Sequence, residues 1–177
     1  TGANAVQSPS TCTDNGSPSQ GCAVAPALVP NAAAAAQSQL AMGPAGPLLA
    51  NGSAAYTITA TAYNGAGTLV TAQATTFNFS APGAGASLSA STCTTATSGG
   101  SAGSCSVTLT ATTPGSYSVT ATLGGSNIGG SNPVVGAFTA GAVVAGSSRV
   151  VISSGPKVAN GADAYTITAS ALDANGN

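Results

Sequence analysis

The chain has 177 residues, enough for one or two domains of ordinary size. Only 3% of its residues are charged, against about 25% in ordinary domains, and they are Arg149, Lys157, Asp14, Asp163 and Asp173, with no Glu and no His. A net charge of −1 gives no electrostatic footprint for nucleic acid or an anionic membrane, no run of 18 apolar residues offers a membrane span, and without His a Ser/His/Asp triad cannot be built. Three scattered Asp are a poor supply for paired-carboxylate chemistry, so the chain is expected not to be an enzyme and to need no cofactor.

Residues 1–36 are rich in Pro, Ala and Ser and read as an irregular arm. Within it, Ser10-Thr11-Cys12 echoes Ser91-Thr92-Cys93 further on. Ala32–Ala36 has helix propensity but is too short to stand as a helix. From about Gln37 to Ala140 the pattern changes to period-2 alternation, the mark of half-buried strands. In Ala55–Tyr63, the side chains of Tyr56, Ile58, Ala60 and Ala62 fall on one face and Thr57, Thr59 and Thr61 on the other. Phe77 and Phe79 alternate in Thr75–Ser80, Val107 and Leu109 in Ser106–Thr112, and Tyr117, Val119, Ala121 and Leu123 in Ser116–Leu123. Leu69–Thr71, Ala86–Ser91 and Pro133–Thr139 are weaker strand candidates. Asn64-Gly65, Pro82-Gly83, Ser98-Gly99-Gly100, Pro114-Gly115 and Gly124-Gly125 supply the turns between them. About seven short strands with regular turns predict an all-β antiparallel sandwich, and with three Phe, four Tyr and no Trp its core is expected to be thin. A linker at 141–148 follows, and then residues 149–177, with Val150 and Ile152 on one strand and Tyr165 and Ile167 on the next.

The four cysteines form two local sets, Cys12 with Cys22 and Cys93 with Cys105, each bracketing a loop that contains Gly and Ser. Such spacing suits disulfides that staple hairpins in an oxidising compartment, each contributing about 3 kcal/mol in the loop-entropy account. Pairing across the two sets stays open. Zinc is disfavoured by the lack of His and of any C-x2-C spacing, and no metal site is expected. Asp173, Asn175 and Asn177 alternate around Gly176 in a partial likeness to a calcium loop; a β-turn is the simpler reading, because Asn-Gly is a favoured turn dipeptide.

The clearest internal feature is a repeat. Residues 50–62 (ANGSAAYTITATA) and 159–171 (ANGADAYTITASA) agree at ten of 13 positions, displaced by 109 residues. That period fits one sandwich per repeat, with 37–140 a complete copy and 149–177 the first two strands of an incomplete one. The motifs Asn51-Gly52…Tyr56-Thr57-Ile58-Thr59, Asn160-Gly161…Tyr165-Thr166-Ile167-Thr168, Asp173-Ala-Asn-Gly-Asn177 and Pro114-Gly115-Ser116-Tyr117-Ser118-Val119 resemble those of bacterial Ig-like domains of the invasin and intimin type. The resemblance covers about residues 37–177 and implies an Ig-like β-sandwich in a tandem array on a bacterial surface. The complete copy departs from it in carrying Asn64-Gly-Ala-Gly67 in place of the acidic turn, and charge is far lower than usual for the family.

Two functional readings follow. In the first, the chain is a structural or adhesive stalk of an extracellular, cell-surface protein, whose neighbours are other Ig-like repeats and whose host-receptor contact lies in another region. In the second, it is a subunit of an extracellular filament, with copies joined by strand exchange or complementation. The rows of Thr, free of the Lys and Glu that normally guard sheet edges, suit packing against other copies or O-linked sugars. A remote third reading is an ice-binding surface, against which the twist of sandwich sheets counts.

Overall fold

The computed structural model describes residues 32–130 and 132–177. Residues 1–31 of the arm expected over 1–36, including Cys12 and Cys22, lie outside the described residues. Thirteen strands run along the described chain: β1 (Gln39–Gly43), β2 (Leu48–Leu49), β3 (Ala55–Thr61), β4 (Thr76–Phe79), β5 (Ala86–Leu88), β6 (Thr92–Thr94), β7 (Ser104–Ala111), β8 (Gly115–Val119), β9 (Ala121–Leu123), β10 (Ser126–Asn127), β11 (Val134–Thr139), β12 (Arg149–Ile152) and β13 (Ile167–Ser170).

The first layer is a four-stranded sheet in the order β1-β3-β7-β5, antiparallel throughout. The second is made of β2-β11-β8 and β10-β9-β4-β6, joined because β8 and β9 are one strand interrupted only at Thr120. There the strand changes partner: β8 pairs with β11, β9 with β4, and Thr120 N donates to Ser80 Oγ at 2.9 Å while Ser80 N donates to Thr120 O at 3.0 Å. The β9–β10 hairpin turns on Gly124 and Gly125, whose φ values of 59° and 83° are those a two-residue hairpin loop requires and that side chains with a Cβ rarely adopt.

The alternation read from the sequence is the burial pattern. Ile58, Ala60, Ala62, Phe77, Leu109 and Val119 are each fully buried, while the Thr residues between them face outward. One aromatic contact crosses the layers and one lies within the second: Tyr56 and Phe138 meet edge-on with centroids 5.2 Å apart across them, and Tyr117 on β8 meets Phe138 on the neighbouring β11 at 5.9 Å. Gly136 lets this happen, because a Cβ there would lie 2.9 Å from Tyr56 Cδ2 and 3.1 Å from Leu109 Cδ2. Both buried tyrosines satisfy their hydroxyls on backbone: Tyr56 lies between the carbonyls of Gly46 and Ala137, and Tyr117 donates to Thr113 O at 2.8 Å. Leu69–Thr71 is not a ladder strand. It makes a single bridge from Leu69 to Tyr63, yet Val70 is fully buried and its N donates to Ala62 O at 2.9 Å.

Strands β12 and β13 form a separate two-stranded ribbon. Its register reproduces that of β1 with β3, residue for residue. Val150 faces Ala169 as Leu40 faces Ala60, and Ile152 faces Ile167 as Met42 faces Ile58. Tyr165 lies just before β13 instead of within it.

Candidate functional site

Among the described residues no three His, Cys, Asp or Glu side chains gather, so a site has to be sought in cross-links, surfaces and joints. Cys93 and Cys105 are joined by a disulfide, with Cα atoms 5.8 Å apart. They sit on β6 and β7, which belong to different layers. The bridge thus ties the two sheets together at one end, instead of stapling two strands of one hairpin.

The outward Thr rows pair with their neighbours. Thr59 and Ser106 hydroxyls lie 2.9 Å apart, Thr76 and Thr94 2.8 Å, and Ser87 and Thr110 3.2 Å. These are cross-strand hydroxyl pairs of the kind that supports a ladder.

The joint between the sandwich and the ribbon is the most elaborated polar region. After β11, the segment 144–148 makes one tight turn: Ser147 N and Ser148 N donate to Val144 O at 3.1 and 3.0 Å, and Ser148 Oγ donates to the same oxygen at 2.9 Å. The turn holds the end of the ribbon, with Val144 N donating to Leu172 O at 2.8 Å and Leu172 N to Ser148 Oγ at 3.1 Å. The same device precedes β1. Gln37 N and Ser38 N donate to Ala34 O, Ser38 Oγ donates to Ala34 O at 2.9 Å, Ala34 N donates to Tyr63 O at 2.7 Å, and Tyr63 N donates to Ser38 Oγ at 3.3 Å. The repeat is therefore one of hydrogen-bonded geometry as well as of letters, and it includes the segment that the sequence reads as a linker.

Each copy then closes with a polar loop. In the first, Asn64 Oδ1 accepts from Ala66 N at 3.0 Å and Thr68 N at 2.9 Å. In the second, Asp173 Oδ1 accepts from Asn175 N and Asn177 N, each at 2.9 Å. Asp173 adds a second set: its Oδ2 accepts from Gly141 N at 2.8 Å and from Asn177 Nδ2 at 3.1 Å, and Asn177 Nδ2 also reaches Ala50 O at 3.3 Å. Asp173 is 2% exposed. Hydrogen bonds from Gly141 and Asn177, opposed by burial and helped by Asn175, hold its carboxyl down at about 2.

One surface contrast completes the picture. Leu40, Tyr56 and Ile58 are buried, whereas their counterparts Val150, Tyr165 and Ile167 are 70%, 49% and 67% exposed. The apolar face that the first copy covers with a second sheet is open in the ribbon.

The described fold, two packed and mostly antiparallel layers around one core, is an Ig-like β-sandwich. Residues 37–138, more than half of the chain, match the family model for the bacterial Ig-like domain (group 1), and the protein belongs to that family. Its structure is similar to that of InvD from Yersinia pseudotuberculosis, with a TM-score of 0.53 and 19% identity over 85% of this chain and 45% of that one. It is also similar to invasin, described as a bacterial integrin-binding protein, at 25% identity and a TM-score of 0.46 over 79% of this chain and 26% of that one. The D0–D1 domains of intimin give 27% identity and a TM-score of 0.42 over 77% of this chain and 64% of theirs. The chain thus spans less than two thirds of the length of these structures. No curated protein matches it. Among the described residues no helix is long and apolar enough to cross a membrane.

Proposed function

We propose that the chain is a spacer segment of a bacterial cell-surface adhesin, made of Ig-like repeats in series that hold a receptor-binding region away from the cell. The observation that carries this reading is the repeated register and turn. Residues 144–177 reproduce the turn and the strand register that open the sandwich preceding them. On this reading they begin a second sandwich, whose second sheet covers Val150, Ile152 and Ile167 as the sheet containing β11 covers the first copy. Work done at such a position is mechanical: the disulfide ties the layers, and the repeated turn sets each domain on the last. A second pair, Cys12 with Cys22, belongs to the same oxidising setting.

The filament subunit is the second reading, favoured by the open apolar face of the ribbon and the free edge of β13. Sedimentation of the 177-residue protein over a wide concentration range separates the two. The spacer reading expects monomers or short-lived dimers; ordered polymers of growing length would replace it with the filament. Location is tested in the cells that make the protein. An exposed position such as Ser53→Cys should react with a membrane-impermeant maleimide on intact cells, and reaction only after lysis would refute surface exposure.

A further inference from the structure

We infer that Asp173 is a coupling residue, which turns the joint between successive sandwiches from a swivel into a stiff link. The role given to the stiffness rests on the spacer reading; the coupling itself rests on geometry. Three separate pieces of chain meet at the pair Asp173 and Asn177. Oδ1 closes its own loop by accepting from Asn175 N and Asn177 N. Oδ2 accepts from Gly141 N, which follows the last strand of the sandwich, and from Asn177 Nδ2. Asn177 Nδ2 in turn reaches the carbonyl of Ala50, in the loop between β2 and β3 and 127 positions away in sequence. The loop of the second copy is thereby bonded to both chain segments that emerge at the end of the first.

The first copy supplies a comparison for the loop. Asn64 occupies the position of Asp173 and forms the same loop through the same two acceptor contacts, to the amides two and four residues on. An amide has one acceptor oxygen, and at Asn64 that oxygen is used within the loop. A carboxylate has two, and only a carboxylate can close the loop with one oxygen and accept the Gly141 and Asn177 donors with the other. At residue 173 the carboxylate therefore serves the loop with one oxygen and the joint with the other. Calcium binding does not account for the carboxylate equally well. Both oxygens already receive two N–H donors each, which a cation would have to displace.

The test is Asp173→Asn, a change the fold already tolerates in the loop of its first copy. In the variant, an NH2 group faces Gly141 N–H and the Asn177 amide. Hydrogen exchange and residual dipolar couplings are measured on the labelled 177-residue protein. In the wild type, one alignment tensor is expected to fit the sandwich and the ribbon, with Gly141 N–H protected. In Asp173→Asn, the Asn175 and Asn177 amides should keep their protection. Gly141 should exchange about tenfold faster, as befits the loss of a bond to a charged acceptor, and two tensors should be needed. Asn177→Ala, which removes the reach to Ala50 but keeps Asp173 on Gly141, should loosen the tensors while sparing Gly141. A wild type already needing two tensors, or an Asp173→Asn variant that keeps one tensor and a protected Gly141, overturns the proposal. A pH titration of wild type gives a check independent of folding of the variants: Gly141 should shift only as the pH falls toward about 2. A midpoint at an ordinary carboxylate value overturns the coupling. None of these readouts depends on surface location or on the monomeric state, so the spacer reading can fail separately.

Discussion

The same isoleucine of the repeated Tyr-Thr-Ile-Thr motif occurs in two settings, and truncating each one measures what the sandwich contributes. Ile58 is fully buried on β3, facing Val107 on one side and Met42 on the other, while Ile167 on β13 is 67% exposed. Ile58→Ala removes buried methyl and methylene groups from a thin core that can collapse only partly, so a loss of about 3–4 kcal/mol is expected. That is a large share of the roughly 5–15 kcal/mol that holds a domain folded. Ile167→Ala removes atoms already in water and should change stability by no more than about 0.5 kcal/mol. Urea titration followed by near-UV circular dichroism, where Tyr56 and Tyr117 report the packed core, gives both values. With an m-value of about 1–3 kcal/mol/M, Ile58→Ala should lower the midpoint by at least about 1 M, and Ile167→Ala should leave it nearly in place. Equal shifts for the two variants would refute the assignment of a closed core to one copy and an open face to the other.

Four further variants test other parts of the fold. Replacing Cys93 and Cys105 together by Ser removes a cross-link with a sequence separation of 12. It should cost about 3 kcal/mol, and reductant should lower the wild-type midpoint to match. Gly136→Ala places a Cβ 2.9 Å from the Tyr56 ring and should cost about 1–3 kcal/mol by overpacking. Gly65→Ala, where a Cβ meets nothing within 4 Å, should be neutral to within about 0.5 kcal/mol; equal costs at the two positions would count against the close approach of the layers. Tyr117→Phe deletes the bond to Thr113 O and should cost about 1 kcal/mol, with the fold unchanged by far-UV circular dichroism.

Much of the sandwich is legible in the letters because its strands obey one rule. Tyr56, Ile58, Ala60 and Ala62 alternate with Thr, and the buried face follows directly. Where short strands carry little alternation, the pattern fails. Leu48–Leu49 and Ser126–Asn127 are too brief to show a period, and Gln39–Gly43 offers only Leu40 as a deeply buried side chain. Val70 shows the opposite case, a residue buried by the closing of a loop and not by a ladder. The joint is the least legible part. Asp173-Ala-Asn-Gly-Asn177 reads locally as a turn, and it is one; its contacts to Gly141 and Ala50 join residues 32 and 127 positions apart. One signal for them was present in the sequence: the Asp that replaces Asn64 at the displaced position, in a chain with only three acidic residues. The layer-to-layer path of the Cys93–Cys105 bridge was hidden for a related reason. A separation of 12 fits a hairpin equally well until the partners of β6 and β7 are known.

The most direct test of the spacer account is to pull the protein end to end with a single-molecule force probe, before and after reduction. A load-bearing sandwich should resist and then give way in one discrete step. The oxidised chain withholds the segment between Cys93 and Cys105 from extension. Reduction should therefore lengthen the step by about 35–40 Å, given 12 residues at about 3.6 Å each less the 5.8 Å between the Cα atoms. Featureless extension at low force, or a step of the same length in both redox states, would contradict the account.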